Sequence, residues 1–519
     1  MLDSFSGSAA TLPALSECEV LQYEGNVEPL RLCRHAGVAP ALPGASMSIK
    51  GAIKSRLRPL YYRLPPAICY GPQFSTVLKL LNETEFWPED RLMEFQLSKL
   101  RAMLRHCAAN VPYYRRLFGE AAFDPDRVRD LSDLRSLPML DKETVRANTR
   151  DFLAENIRPR DRLYFTTGGT MGAPLGVYNL RHAGGRERAF MLKQWARIGF
   201  DYKDLRAALR GWAVKSPRHW EYQAEERAYV FSNFHMTPDN VSEYARVMRA
   251  RRLPYLHSYP SAVIDFARHL KGLGQEPPRF RAILASSENL YPGQREFIES
   301  FYGARLFSWY GHSENTILAG ECEVSNDYHV FPEYGVVEVI REDGSPASAE
   351  GETGEMVGTS LDNFAMPLIR YRTEDWAVLG PRGCACGRNY KLLKETRGRW
   401  HQEVLVGRLD NLISITAVNV HTDIFDHVQQ LQFYQCQKGK VELRIKRKPE
   451  YTERDTRRIL AALEEKMGDT MEISLSFREE IPLVPSGKFR LVIQELGTRE
   501  QGPETGGRGP GIGSRAAKD

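Results

Sequence analysis

The chain has 519 residues, 42% of them hydrophobic and 26% charged, which excludes a mostly disordered, collagenous or multi-span membrane protein and gives a prior of three or four average domains. Its net charge of +5 is small for that length and both signs alternate along it, so no nucleic acid is expected as partner. Eight scattered cysteines are too few for a disulfide scaffold and favour a reducing, cytoplasmic compartment.

Residues 1–46 are rich in Ala, Pro, Ser and Leu without periodicity and read as a doubtful or disordered leader, with Met47 as the expected true start. Neither a secretory leader pattern nor a run of about 20 apolar residues is visible. Between Lys50 and Arg63 five basic residues alternate with apolar ones; this is either a solvated basic face or a peripheral contact with anionic lipid. Over 91–107, Leu92, Phe95, Leu100, Met103, Leu104 and Cys107 fall on one helical face, which predicts a core-packing helix ending before Pro112. From about residue 160 short strands and helices alternate: DRLYF, a glycine-rich turn, VYNL, then RAILAS, a helix near Pro292, and ARLFSWY. That alternation predicts an α/β body. A composition break near Gly407 opens a smaller α+β unit of strand (KVELRIKRK), amphipathic helix (TERDTRRILAALEEKMG) and strand (TMEISLSF). The expected organisation is therefore a large domain over 47–406, a small one over 407–496, and a disordered Gly/Pro-rich tail over 497–519.

Four short segments carry chemistry. Residues 166–174, TTGGTMGAP, sit between two strand-like runs, where glycines let backbone N–H groups approach phosphate oxygens and threonines add donors; the Gly-Lys-Ser/Thr ending of a Walker loop is missing, and an empty glycine-rich hairpin is the plainer reading of this segment alone. Tyr310-Gly-His-Ser-Glu314 ends a strand, offering an aromatic for a base and a carboxylate for a magnesium ion. Tyr371-Arg-Thr-Glu-Asp375 offers an acceptor for ribose hydroxyls. Pro485-Ser-Gly-Lys488 offers a cation on a loop.

In that order the segments resemble the adenylate-forming superfamily of acyl-activating enzymes, with GRLDN at 407–411 matching its hinge motif. HCAANVPYYRRLF and AMPLIRYRTED look like the phenylacetate–CoA ligase family, and HSYPSA, YHVFPEYGVVEV and ITAVNVHTDIFDHVQQLQFYQ like its capsular-polysaccharide-biosynthesis (CapK-type) branch. The resemblance implies a large multi-subdomain adenylate-forming domain with a small mobile C-terminal lid. It also implies an ATP-dependent activation of a carboxylic acid as acyl-adenylate, with transfer to a thiol (CoA) or an amine, in capsular or envelope polysaccharide biosynthesis; the alternatives are a phenylacetate or aryl-CoA ligase and a non-catalytic nucleotide-binding partner of a polysaccharide-synthesis complex. Carried over by position, Thr167, Gly169 and Thr170 would cradle the β- and γ-phosphates, Tyr310 stack on adenine, Glu314 bind Mg2+, Ser287 and Glu288 line the adenine, and Asp375 and Arg408 hold the ribose. Lys488 would bridge the acyl carboxylate and the α-phosphate, and Asp410 would be the pivot of a lid rotation between half-reactions. His235, Tyr259 and Ser286 would border the acid. Two departures stand out: Ala173 replaces a lysine many members carry in the phosphate loop, and Thr416-Ala417 replaces Arg-Gly before Val-Asn-Val, where a methyl group crowds the approach of a thiol donor. The acceptor therefore stays open between CoA and an amine, such as that of an amino sugar. Cys322, His329 and the tight pair Cys384 and Cys386 form a candidate zinc set, as in some relatives, against four unligated side chains. Neither the acid nor the oligomeric state is legible.

Overall fold

The computed structural model describes residues 66–167, 175–212, 214, 216–398, 404–418, 422–481 and 490–496. The expectations for the leader and Met47, the basic segment Lys50–Arg63, the tail, and Gly169, Thr170, Ala173 and Lys488 lie outside the described residues.

Helix α1 (Pro72–Thr84) precedes the predicted core helix, α2 (Glu89–Asn110), which buries Leu92, Leu100, Met103, Leu104 and Cys107. Pro112 does more than follow it: at the first position of α3 (Pro112–Glu120), where its missing N–H costs nothing, it starts the next helix. Strands β1 (Arg162–Thr166) and β2 (Gly176–Leu180) pair antiparallel, Thr166 opposite Gly176, and α4 (Ala183–Ala196) follows.

The body is organised around a sheet of twelve strands among the described residues. Its N-terminal half comprises β3 (Arg206–Arg210), β4 (Trp220–Gln223), β5 (Ala228–Ser232), β6 (Tyr255–Ser258), β7 (Ala282–Ser286) and β8 (Arg305–Gly311), with helices α5 (Pro238–Ala250), α6 (Pro260–Gly272) and α7 (Gln294–Tyr302) between them. The other half is β9 (Leu318–Gly320), β10 (Tyr328–Val330), β11 (Gly335–Ile340), β12 (Thr353–Ser360), β13 (Tyr371–Leu379) and β14 (Leu392–Arg397). The order is β11-β12-β13-β14-β10-β9-β8-β7-β6-β3-β5-β4. Strands β5, β3, β6, β7 and β8 are mutually parallel; from β9 on the pairing is antiparallel. The parallel strands are near-continuous apolar runs, as expected of strands covered on both faces: all five residues of β7 are buried.

After the hairpin of β15 (Val404–Val406) and β16 (Leu412–Ser414), a four-stranded sheet ordered β19-β18-β17-β20 forms from β17 (Val428–Gln437), β18 (Lys440–Arg447), β19 (Glu472–Phe477) and β20 (Val492–Gln494). Helix α8 (Glu453–Met467) links β18 to the parallel β19, and the Asp455 carboxylate closes its first turn by accepting from the Thr452 N–H and hydroxyl, both at 2.8 Å. The strand-helix-strand order read from the sequence is thus present. Leu209, Phe234 and Met236 of the body share one buried apolar cluster with Ile413, Ala417 and Met467. Among the described residues no helix is long and apolar enough to cross a membrane.

Candidate active site

Because β3, β6, β7 and β8 are parallel, their C-terminal ends open on one edge of the sheet, where ligands of open α/β sheets bind. Arg210, His257 to Tyr259, Ser286 to Glu288, and Tyr310 to Glu314 all stand on that edge.

Tyr310, Glu314 and Asp375 are brought together. The Tyr310 hydroxyl donates to Asp375 Oδ2 at 2.8 Å, and burial beside that carboxylate pushes the phenol well up. A bulge makes this meeting possible: Arg372 pairs with Val357 and Trp376 with Glu355, so Thr373, Glu374 and Asp375 together face Met356 alone. Glu374 takes a left-handed φ of 60° in this bulge. Buried Glu314 accepts from the Tyr371 hydroxyl at 2.8 Å through Oε1, while Oε2 lies 2.9 Å from His312 Nδ1. Burial opposes its charge, but His312, Lys142 and the Tyr371 hydroxyl outweigh burial and hold the carboxyl well below the usual range. His312 is itself fixed by Thr316 Oγ1, 3.0 Å from Nε2.

Other sequence-predicted residues take different positions. Thr167 closes the base of the β1–β2 connection: its N–H donates to the Leu175 carbonyl at 2.9 Å and its hydroxyl accepts from the Leu175 N–H at 3.3 Å. Ser287, exposed with a left-handed φ of 70°, faces the crevice edge. Glu288 instead turns to the start of α6, accepting from the Ser261 N–H and hydroxyl, both at 2.9 Å, so its carboxylate serves a helix N-terminus. Arg408 is not brought to Asp375. It faces the small sheet, 3.8 Å from Glu472, and its N–H donates to the Thr470 carbonyl at 3.0 Å. Asp410 has a left-handed φ of 62° and an ion pair with Lys438, in a turn that Asn411 ties to the Phe234 carbonyl at 2.6 Å. His235 stacks on His219 at 4.0 Å and lies 3.5 Å from Asp469, while Tyr259 and Ser286 are buried beside the crevice.

The C-terminal part meets this edge through Thr416 and Ala417. The Thr416 hydroxyl donates to the Ser287 carbonyl at 3.4 Å, and a Cβ on Gly211 would fall 2.3 Å from the Ala417 carbonyl oxygen, so only glycine permits the approach. Lys466 secures this segment, donating to the Ala417 carbonyl at 3.0 Å, and burial lowers its ammonium pKa to about 8. Since the unfolded lysine titrates near 10.4, the unfolded chain holds the extra proton between pH 8 and 10, and this group's penalty fades as pH rises through that window. Lys466→Met is expected to be more stable than wild type by about 1–2 kcal/mol at pH 7 and to lose most of that advantage by pH 10, as read by urea unfolding at both pH values.

Residues 407–495 match the model of the CapK C-terminal domain. The phenylacetate–coenzyme A ligase of Escherichia coli (strain K12) is 27% identical over 348 residues, covering 66% of this chain and 76% of the relative. That of Pseudomonas putida is 25% identical over 439 residues, covering 80% and 89%. Like these relatives, the chain is an adenylate-forming ligase. The crystal structure of 2-hydroxyisobutyryl-CoA ligase with 2-HIB-AMP and CoA in the thioesterification state shares the fold: TM-score 0.55, 18% identity, 80% of this chain and 92% of that one.

This adenylate-forming ligase also gathers the four residues of the candidate zinc set. The ligand atoms of Cys322, His329, Cys384 and Cys386 all lie within 4.8 Å of one another. Cys322 Sγ is 3.7 Å from Cys384 Sγ, close to the edge of a tetrahedron with metal–sulfur bonds of about 2.3 Å, and Cys386 Sγ is 3.2 Å from His329 Nε2. His329 Nδ1 lies 3.0 Å from the Asp327 carbonyl, which turns Nε2 to the thiols, and the Val324 and Ser325 N–H groups donate to Cys322 Sγ. The chemistry of this donor set fits zinc. Because β9 runs antiparallel to β8, Cys322 lies toward the opposite edge of the sheet from Glu314.

Sequence reasoning missed the supports of Glu314. Both were inside quoted motifs: His312 is the variable residue of Tyr-Gly-His-Ser-Glu and Tyr371 opens Tyr-Arg-Thr-Glu-Asp. Arg210 and His257 were also missed; His257 opens the quoted segment HSYPSA, and Arg210 is a charged residue closing the run Arg206–Arg210.

Proposed function

We propose that this ligase activates a carboxylic acid with ATP as an acyl-adenylate and passes the acyl group to a thiol or amine acceptor in the cytoplasm, in the assembly or modification of capsular or envelope polysaccharide. The observation that carries the reading is Glu314, a buried carboxylate kept ionised beside the Tyr310–Asp375 pair on the ligand-binding edge of the sheet. Each Glu314 oxygen meets one donor and keeps a lone pair, which fits a divalent cation. A magnesium ion there would neutralise charge on phosphate oxygens. Tyr310 would stack on adenine, Asp375 would accept from ribose hydroxyls, Thr167, Gly169 and Thr170 would donate to phosphates, and Lys488 would hold the acid carboxylate against the α-phosphate. The protein's work is chiefly positioning and charge neutralisation, since the carboxylate must meet phosphorus in line as pyrophosphate leaves. Rotation about Asp410 would take Glu472 away from Arg408 and free that guanidinium for the ribose.

The CapK C-terminal match supports the polysaccharide setting; the phenylacetate–CoA ligase relatives support the second reading, an aryl-CoA ligase. The close packing of Ala417 on Gly211 favours an acceptor other than CoA, because that segment replaces the Arg-Gly of the thioester-forming relatives. The test is ATP–pyrophosphate exchange over a panel of aryl, fatty, amino and dicarboxylic acids, with hydroxylamine, amino sugars and CoA compared as acceptors. Exchange stimulated by an acid and abolished by Lys488→Ala is expected; no exchange with any acid would overturn the reading. Preference for CoA over every amine would move the reading to the aryl-CoA ligase.

A further inference from the structure

Resting on the proposed acid activation, we propose that Arg210 binds a second anionic group on the substrate, making this ligase selective for acids with a distal carboxylate or comparable anion. Arg210 closes β3, and its guanidinium passes across the neighbouring strand ends: Nη1 lies 2.5 Å from His257 Nε2 on β6, and Nη2 donates to the Ser287 hydroxyl at 3.0 Å after β7. It also lies 4.5 Å from the centre of the Tyr259 ring. These are the partners of a positioned cation, yet none is an anion.

Arg210 has no carboxylate within ion-pair distance among the described residues. Half-buried Arg210 differs in this from the buried Arg186, Arg206, Arg370 and Arg388, which each have one: Asp362, Glu226, Glu338 and Glu85 respectively. Glu288, whose charge Arg210 feels, is turned away to Ser261. The second donor is His257, 7% exposed and walled by Trp195 and Trp309 at 5.0 and 5.6 Å. Burial, then Arg210 and Arg206, push its pKa well below the ordinary value, so the ring is neutral. Its Nε2 accepts from Arg210, which leaves the proton on Nδ1, and Nδ1 is buried without a hydrogen-bond partner among the described residues. A buried orphan donor is costly unless something supplies an acceptor.

Strand β3 stands three strand spacings from β8, roughly 14 Å, but the Arg210 side chain crosses β6 and its guanidinium ends at Ser287 after β7, about one spacing of 5 Å from β8. That leaves a gap suited to a short acid whose near carboxylate reacts on the β8 side and whose far end reaches Arg210. Thr416 and Ala417 lie against Ser287 and Gly211, so the C-terminal segment borders the same strand ends.

The experiment compares matched acids, hexanoate with adipate and phenylacetate with 1,4-phenylenediacetate, in ATP–pyrophosphate exchange by wild type, Arg210→Met and Arg210→Lys. Wild type is expected to favour the diacid of each pair at least about tenfold in kcat/KM. Arg210→Met is expected to lose about ten- to a hundredfold on the diacid only, and Arg210→Lys to retain part of the preference. A wild-type preference for the monoacid, or an equal fall on both members in Arg210→Met, would overturn the proposal. If no acid of any kind supports exchange, the activation reading fails by itself. Calorimetric titration of adipate then reads Arg210 alone: binding at least tenfold weaker in Arg210→Met upholds it, and equal or absent binding in both proteins overturns it.

Discussion

Glu314→Gln is expected to lower acid-stimulated ATP–pyrophosphate exchange by about two to three orders of magnitude with little change in fold. The carboxylate is isosteric with the amide, and its neighbours tolerate the exchange: the Tyr371 hydroxyl still meets a carbonyl oxygen, and His312 can switch tautomer to accept from the amide while its other nitrogen donates to Thr316. The stability cost is therefore that of one weakened hydrogen bond, about 1 kcal/mol. The functional cost is larger because a neutral amide cannot hold a divalent cation against phosphate, and cation-assisted charge stabilisation contributes several kcal/mol, each 1.4 kcal/mol being about tenfold. Exchange kinetics across a magnesium titration separate the two: the variant should need much more magnesium and stay slow at saturation. A variant with normal exchange would remove Glu314 from the chemistry.

The parts legible in the sequence were those with local causes. The helix around Leu100 to Cys107 follows from a 3.6-residue period, and the change of regime near Gly407 from the strand-helix-strand run that became β18, α8 and β19. Tyr310 and Glu314 were legible as residue types at a strand end, and Asp375 as the acidic residue closing Tyr-Arg-Thr-Glu-Asp. That Tyr310 donates to Asp375 was not, because it depends on a bulge that sets three residues of β13 against one of β12, and on a β8–β13 proximity no local pattern encodes. The partner of Glu288, which the resemblance placed along the adenine, was not legible for a similar reason: its carboxylate meets the start of α6, a neighbour that no local pattern encodes. Arg210 and His257 lie 47 positions apart and become neighbours only once β3 and β6 pair in register, Ala208 opposite His257.

Cys386→Ser is expected to strip the protein of one zinc ion per chain and to destabilise it by about 4 kcal/mol or more, far beyond an exchange of Cys436→Ser at an exposed site. The four donors come from separate places: Cys322 beyond β9, His329 in β10, and Cys384 and Cys386 in the β13–β14 connection. A metal there would clip together loops that the antiparallel half of the sheet holds through a three-residue β9 and a three-residue β10, which offer few ladder bonds of their own. With three thiolates and one imidazole the coordination sphere would be closed, a staple with no open position for substrate. The variant should therefore lose stability while the folded fraction keeps its KM for ATP, since Glu314 and Asp375 stand toward the opposite edge. Elemental analysis of protein purified without chelator, with unfolding midpoints for wild type, Cys386→Ser and Cys436→Ser, reads both halves. Absence of stoichiometric zinc in the wild type, together with equal midpoints for the two variants, would leave the four side chains as unligated packing.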